Sequence, residues 1–130
     1  MFKISKLVLA LVVGCGGFIG AVLRYIISVF ATKKFEGSFN YGTFISNILG
    51  AILIGFIMEL SIESTAISPN MKLFLTTGIM GGLTTFSTFS YETITILSTG
   101  KLVLGIENIV LNLFGSLLFV VLGQKLAKIL

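Results

Sequence analysis

Three groups of polar residues interrupt a chain that is otherwise apolar, and their types are suited to hydrogen-bonding a small ion. The densest is Gly81-Gly82-Leu83-Thr84-Thr85-Phe86-Ser87-Thr88-Phe89-Ser90, with five hydroxyls, two glycines and two aromatic rings in ten residues. Lipid can hydrogen-bond none of it, so at membrane depth this segment must be buried in protein or line a wet path. Thr43, Asn47 and Gly50 share one face of a second stretch. The amide of Asn47 offers two donors and an acceptor, so it either ties helices together or donates to a passing anion. Asn108, Asn112 and Ser116 are spaced by four in a third stretch, with Gly115 beside them. A single such residue reads as glue between helices; three in register favour a water- or ion-lined track.

The densest group carries two further kinds of chemistry. Gly81 and Gly82, followed by the β-branched pair Thr84-Thr85, weaken a helix where it should be continuous. A break there frees carbonyls and amides. Carbonyl and threonine oxygens are hard ligands suited to Na+, while the N-terminus of the following half-helix favours an anion. The plainer alternative is a glycine-permitted kink that serves only packing. Phe86 and Phe89 are three apart and share a face. Aromatic rings have a positive edge, so rings presented edge-on hold a small anion without the full charge that would trap it. Among charged residues within apolar stretches, Arg24 and Glu92 stand out. They read as interfacial anchors, or as groups shaping the two openings of a path.

The elements that position these residues follow from composition. Of 130 residues, 55% are hydrophobic and 11% charged, which excludes an ordinary soluble domain. Four apolar stretches, at about 5–30, 42–60, 71–97 and 103–123, are each near the length that crosses a hydrocarbon core. The expectation is an all-α membrane protein in one domain, residues 1–130, with four transmembrane helices, the third broken mid-membrane. Polar or proline-bearing breaks at 32–40, 61–70 and 98–101 separate them. Gly16 and Gly20, and Gly78 and Gly82, have the GxxxG spacing of closely packed membrane helices.

The net charge of +4 does not signal nucleic acid, because the lysines, Lys3 among them, fall at the ends of apolar runs as interfacial anchors. With both termini on one side, Lys3, Lys6, Lys72, Lys125 and Lys128 oppose Arg24, Lys33, Lys34 and Lys101, five against four. So even a count gives the positive-inside rule almost nothing to act on. It arises by accident in a small protein, or because the chain inserts both ways and pairs antiparallel with itself. The chain has no His and a single Cys15, so triads and thiol-metal sites lack their parts and no enzyme is expected. Lys3, Lys6 and the run 7–13 before Gly14-Cys15 resemble a lipoprotein signal. Residues 16–30 stay apolar, however, and the segment reads as structure.

Taken in order, Gly16-Gly17-Phe18-Ile19-Gly20-Ala21 leading to Arg24-Tyr25, then Gly42-Thr43 with Asn47 and Gly50, then Gly81 to Phe89, closely resemble the Fluc/CrcB family of fluoride channels across essentially the whole chain. The resemblance implies an antiparallel, dual-topology homodimer with two pores in the cell membrane, surrounded by lipid and passively exporting fluoride. It implies pore roles for Asn47, Phe86, Phe89, Ser87, Thr88, Asn112 and Ser116, and vestibule roles for Arg24 and Glu92. It further implies a central structural Na+ held by the backbone carbonyls of Gly81 and Thr84 from both subunits. Asn108 departs from the family pattern, which often has tyrosine there.

Two rival readings remain at this level. A small drug/proton antiporter is also four helices, but it needs a membrane-embedded carboxylate, and the first two stretches offer only Glu59 at an end. A structural subunit would use the polar stripes only to bind a partner membrane protein.

Overall fold

A computed structural model describes residues 4–130, and Lys3 lies outside the described residues. Every regular element among them is helical. Helix α1 (Ile4–Lys34), α2 (Tyr41–Glu63) and α6 (Leu102–Ile129) are long and apolar enough, by length and composition, to cross a membrane. Between α2 and α6 the chain is divided. Helix α3 (Pro69–Leu73) widens into a π-helical stretch (Phe74–Met80), continues as α4 (Gly81–Leu83), stops, and resumes as α5 (Ser87–Ser98).

The interruption begins two residues after the glycines. Gly81 keeps helical angles (φ −61°, ψ −38°), whereas Thr84 turns to φ −89°, ψ 154°. The glycines serve close approach instead. A Cβ on Gly16 would meet the Phe74 carbonyl oxygen at 2.7 Å, and one on Gly82 the Gly17 carbonyl oxygen at 2.5 Å; one on Gly20 would collide with the Ile79 carbonyl. The two GxxxG motifs therefore face each other, and α1 lies backbone to backbone on the π-helical stretch and α4.

Local signals set the ends of these elements. Ser68 caps α3 by accepting the Met71 N–H, with Pro69 at the first helical position. Gly100 turns the chain from α5 to α6 at φ +82°, a left-handed angle that glycine adopts without steric cost. Before α2, Phe35 stacks on Tyr41 with ring centroids 4.6 Å apart, and Phe39 meets Tyr41 edge-on at 4.8 Å.

The packing inverts that of a soluble protein. Helix α2 buries Thr43, Ser46, Gly50, Ala51 and Gly55, and α6 buries Gly105, Asn108, Asn112, Gly123 and Ala127. Large apolar side chains such as Phe18, Phe30 and Phe114 point outward. Water would punish that arrangement, while lipid tolerates it and leaves van der Waals packing and hydrogen bonds to join the helices. The chain is a multi-pass membrane protein.

Candidate functional site

The site grows from the interruption between α4 and α5. A continuing helix would send the Thr85 N–H to the Gly81 carbonyl; here it donates to Asn47 Oδ1 on α2 at 2.9 Å. Asn47 Nδ2 returns a bond to the Thr85 carbonyl at 3.3 Å and a second to Asn112 Oδ1 on α6 at 3.1 Å. One amide thus substitutes for a helix turn and joins α2, the interruption and α6. The next amide in line, Thr88 N–H, donates to Thr85 Oγ1 at 3.2 Å, so the threonine hydroxyl caps the start of α5.

Both diversions have the same by-product. The amides that would reach the carbonyls of Gly81 and Thr84 are taken by side-chain oxygens, and neither carbonyl accepts an amide among the described residues. Two neighbouring acceptors are spent otherwise. The Met80 carbonyl receives Thr84 N–H and Thr84 Oγ1, and the Gly82 carbonyl receives Arg24 Nε at 3.1 Å. Arg24 therefore places its positive charge at the C-terminal end of this half-helix, where the dipole favours a cation.

Beside the interruption lies a cavity of about 350 Å³. Its wall includes Asn47, Phe86, Phe89, Asn112, Ser116, Gly81 and Thr84, together with Thr76, Thr85 and apolar groups. Among the described residues no charged side chain lines it. The rings of Phe86 and Phe89 stand 5.6 Å apart, tilted at 56°. Phe86 is 75% exposed and Gly81 is also exposed, so this wall is open at the surface of the subunit.

Four expected residues lie elsewhere. Ser87 and Thr88 do not line the cavity; they form the first turn of α5, with Ser87 Oγ 3.4 Å from Thr85 Oγ1. Arg24 is at the α1–α4 contact. Glu92 accepts the Thr43 hydroxyl at 2.5 Å and lines a separate, more polar cavity of about 210 Å³ near Asn40 and Gly42. It also borders a third space toward Lys101, whose Nζ donates to Ser38 Oγ at 2.6 Å.

The α6 stripe divides. Asn112 and Ser116 reach the cavity, but Asn108 does not; it is buried and donates to Thr93 Oγ1 on α5 at 2.8 Å. Two residues carry more than their sequence positions suggest. Thr85 lies inside the densest polar group yet reads there only as a β-branched helix breaker. Thr93 has no sequence signal at all, because a lone threonine in an apolar helix is ordinary packing.

Comparison with known proteins fits this geometry. Residues 11–124 match the family described as CrcB-like protein, Camphor Resistance (CrcB). The chain is similar to the fluoride-specific ion channel FluC of Clostridium perfringens (strain ATCC 13124), with 73% identity over 126 residues, covering 97% of this chain and 98% of that protein. It is also similar to FluC of Clostridium novyi (strain NT), 59% identical over 125 residues, covering 96% and 98%. FluC of Ruminiclostridium cellulolyticum is 46% identical over 124 residues, covering 95% of each. With most of its length matched both to the family and to these relatives, the chain belongs to the CrcB family.

Proposed function

We propose that this protein is a fluoride-selective channel of the cell membrane that lets fluoride leave the cytoplasm passively. The observation that carries the reading is the uncharged cavity where amide, hydroxyl and two aromatic rings converge beside a broken helix. Fluoride is strongly hydrated, so a path must replace its water with donors at each step. Asn47, Asn112 and Ser116 supply neutral donors, and the edges of Phe86 and Phe89 supply partial positive charge. Neutral donors bind weakly enough to release the ion, which conduction requires. Ser87 and Thr88 continue the path with hydroxyls at the N-terminus of α5, where the helix dipole favours an anion. Arg24 and Glu92 belong to the approaches at either end.

The open wall at Phe86 and Gly81 supports an oligomer, because lipid can satisfy none of the polar groups there and a second copy can. With the nearly equal charge count, the assembly is an antiparallel homodimer of four-span subunits, the two half-helices α3–α4 and α5 together making one span. The carbonyls of Gly81 and Thr84 fit a structural Na+: they are hard oxygens, unspent on helix hydrogen bonds, and one of them is exposed for sharing with the second subunit. Bound there, the ion would offset the negative end of α4 and pin the interruption open.

A drug/proton antiporter requires a carboxylate at its binding cavity, and among the described residues none lines this one. The test is efflux from liposomes loaded with potassium fluoride and reconstituted with purified protein, without a proton gradient. Fluoride should leave and chloride stay. Drug-driven proton movement would favour the antiporter, and the absence of any flux would favour a structural subunit.

A further inference from the structure

We propose that Thr93 and Asn108 are positioning residues for the pore amide Asn47, acting through a one-way chain of hydrogen bonds; this rests on the reading of Asn47 as a fluoride donor. The chain runs from Thr85 N–H to Asn47 Oδ1, from Asn47 Nδ2 to Asn112 Oδ1, and from Asn112 Nδ2 to Asn108 Oδ1 at 3.1 Å. It continues from Asn108 Nδ2 to Thr93 Oγ1 and ends with the Thr93 hydroxyl donating to the Phe89 carbonyl at 2.7 Å.

The direction of this chain is fixed at both ends. A backbone N–H can only donate and a backbone carbonyl can only accept. Because Thr93 spends its single proton on the Phe89 carbonyl, its oxygen is left to accept from Asn108, whose own oxygen then faces Asn112. Each link agrees in polarity with the one before, and the Asn108 carbonyl, which also accepts from Asn112 Nδ2, holds Asn112 in the same sense. The three amides, whose oxygen and nitrogen ends are otherwise nearly interchangeable in shape, cannot flip without setting donor against donor. Asn108 (2% exposed), Asn112 (4%) and Thr93 (6%) are buried, so water does not compensate a broken link. The result is that Asn47 meets the cavity with its nitrogen held toward α6 and its oxygen held by Thr85. The chain also begins beside one pore ring and ends on the backbone of the other, Phe89. Asn112 Nδ2 keeps its bond to the Asn108 carbonyl at 2.9 Å, and Asn47 is held by the Thr85 N–H and carbonyl, so without Thr93 Oγ1 it is Asn108 that turns over. Its nitrogen then faces Asn112 Nδ2, Asn112 loses one of its two acceptors, and the oxygen that receives Asn47 Nδ2 is held less firmly.

The test uses the reconstituted full-length protein. Thr93→Val removes the hydroxyl at nearly constant shape, and Thr93→Ser keeps it. Fluoride efflux per protein should fall about tenfold in Thr93→Val and stay within about twofold of wild type in Thr93→Ser. In protein labelled with 15N-asparagine, the side-chain amide resonance of Asn47, two amides away from Thr93, should move in Thr93→Val and not in Thr93→Ser. Should valine prevent folding, Thr93→Ala removes the same hydroxyl and must behave likewise. Wild-type efflux without the hydroxyl, an equal loss in Thr93→Ser, or an unmoved Asn47 resonance overturns the inference. Asn47→Asp separates the two readings. Full flux in that variant overturns the pore role of Asn47 and this inference with it, whereas a silent Asn47→Asp beside a fully active Thr93→Val overturns this inference alone.

Discussion

Asn47 is hydrogen-bonded at both ends of its amide, so it can receive fluoride only by exchanging one of these bonds, and the 3.3 Å bond to the Thr85 carbonyl is the longest of them. An ionised carboxylate in its place repels the anion and offers nothing to Asn112. Asn47→Asp should lower fluoride efflux from liposomes by at least about tenfold, the worth of one buried hydrogen bond; normal throughput would remove the residue from the path. The rings face a comparable trial. Phe86→Ile and Phe89→Ile keep apolar bulk but lose the positive edge, and each should cut flux sharply while the protein still elutes as an assembled species. If both variants conduct normally, the rings have no part in permeation. Ser46 poses a different question. It is fully buried, yet its hydroxyl has no partner among the described residues. A buried hydroxyl without a partner costs about 1–3 kcal/mol, so Ser46→Ala should leave thermal stability in detergent unchanged or raised. A clear loss would mean that the hydroxyl has a partner in the assembled protein.

Between elements, the decisive contact is glycine on glycine. Any Cβ at Gly20 collides with backbone of the π-helical stretch and α4, whereas one at Gly14, six residues earlier on the same helix, meets nothing within 4 Å. Gly20→Val should therefore destabilise the protein by about 3 kcal/mol or more, because the obstruction is backbone and cannot rotate away. Gly14→Val should cost under about 1 kcal/mol. Thermal unfolding of the two variants side by side gives the comparison, and equal effects would mean that α1 does not lie on α4 as described. The interruption is likewise a contest between bonds. Helix α4 ends because the oxygen of Asn47 outcompetes the Gly81 carbonyl for one amide, and Thr85 Oγ1 takes another. The break redirects those two amides to side-chain oxygens and leaves the carbonyls of Gly81 and Thr84 without amide partners among the described residues.

For the whole molecule, the small-residue interior and the bulky apolar exterior assign the surface to lipid and to a second copy. A subunit inserted in both orientations has each loop on both sides of the membrane. With Cys15→Ala to remove the endogenous thiol, a Glu36→Cys variant in the exposed α1–α2 loop should be labelled about half from outside intact cells by a membrane-impermeant maleimide, the remainder reacting only after lysis. Labelling from one side alone would end the antiparallel arrangement. The bridging cation has its own check. Protein held in sodium chloride should melt several degrees above protein held in N-methylglucamine chloride, since a ligand bound only to the folded assembly stabilises it. Equal melting temperatures would leave the Gly81 and Thr84 carbonyls without a cation.

Membrane residence, the helical class, the approximate apolar stretches and the polar groups worth attention were all legible in the residues alone. Hydropathy and period-3.6 spacing are local properties, and lipid makes them nearly compulsory. The GxxxG motifs marked close packing in advance, but that the two motifs face each other came only from the fold. Nor was the exact place of the interruption legible. It depends on which acceptor wins the Thr85 amide, and the winner, Asn47, lies 38 positions away in the chain. The division of the α6 stripe was equally hidden, since spacing puts Asn108, Asn112 and Ser116 on one face but cannot say which part of it meets a cavity and which meets α5. Thr93 shows the limit most plainly: its role exists only because folding brings Asn108 to its oxygen and Phe89 to its proton. Hydrogen-bond direction belongs to the assembled network, and no single stretch of sequence contains it.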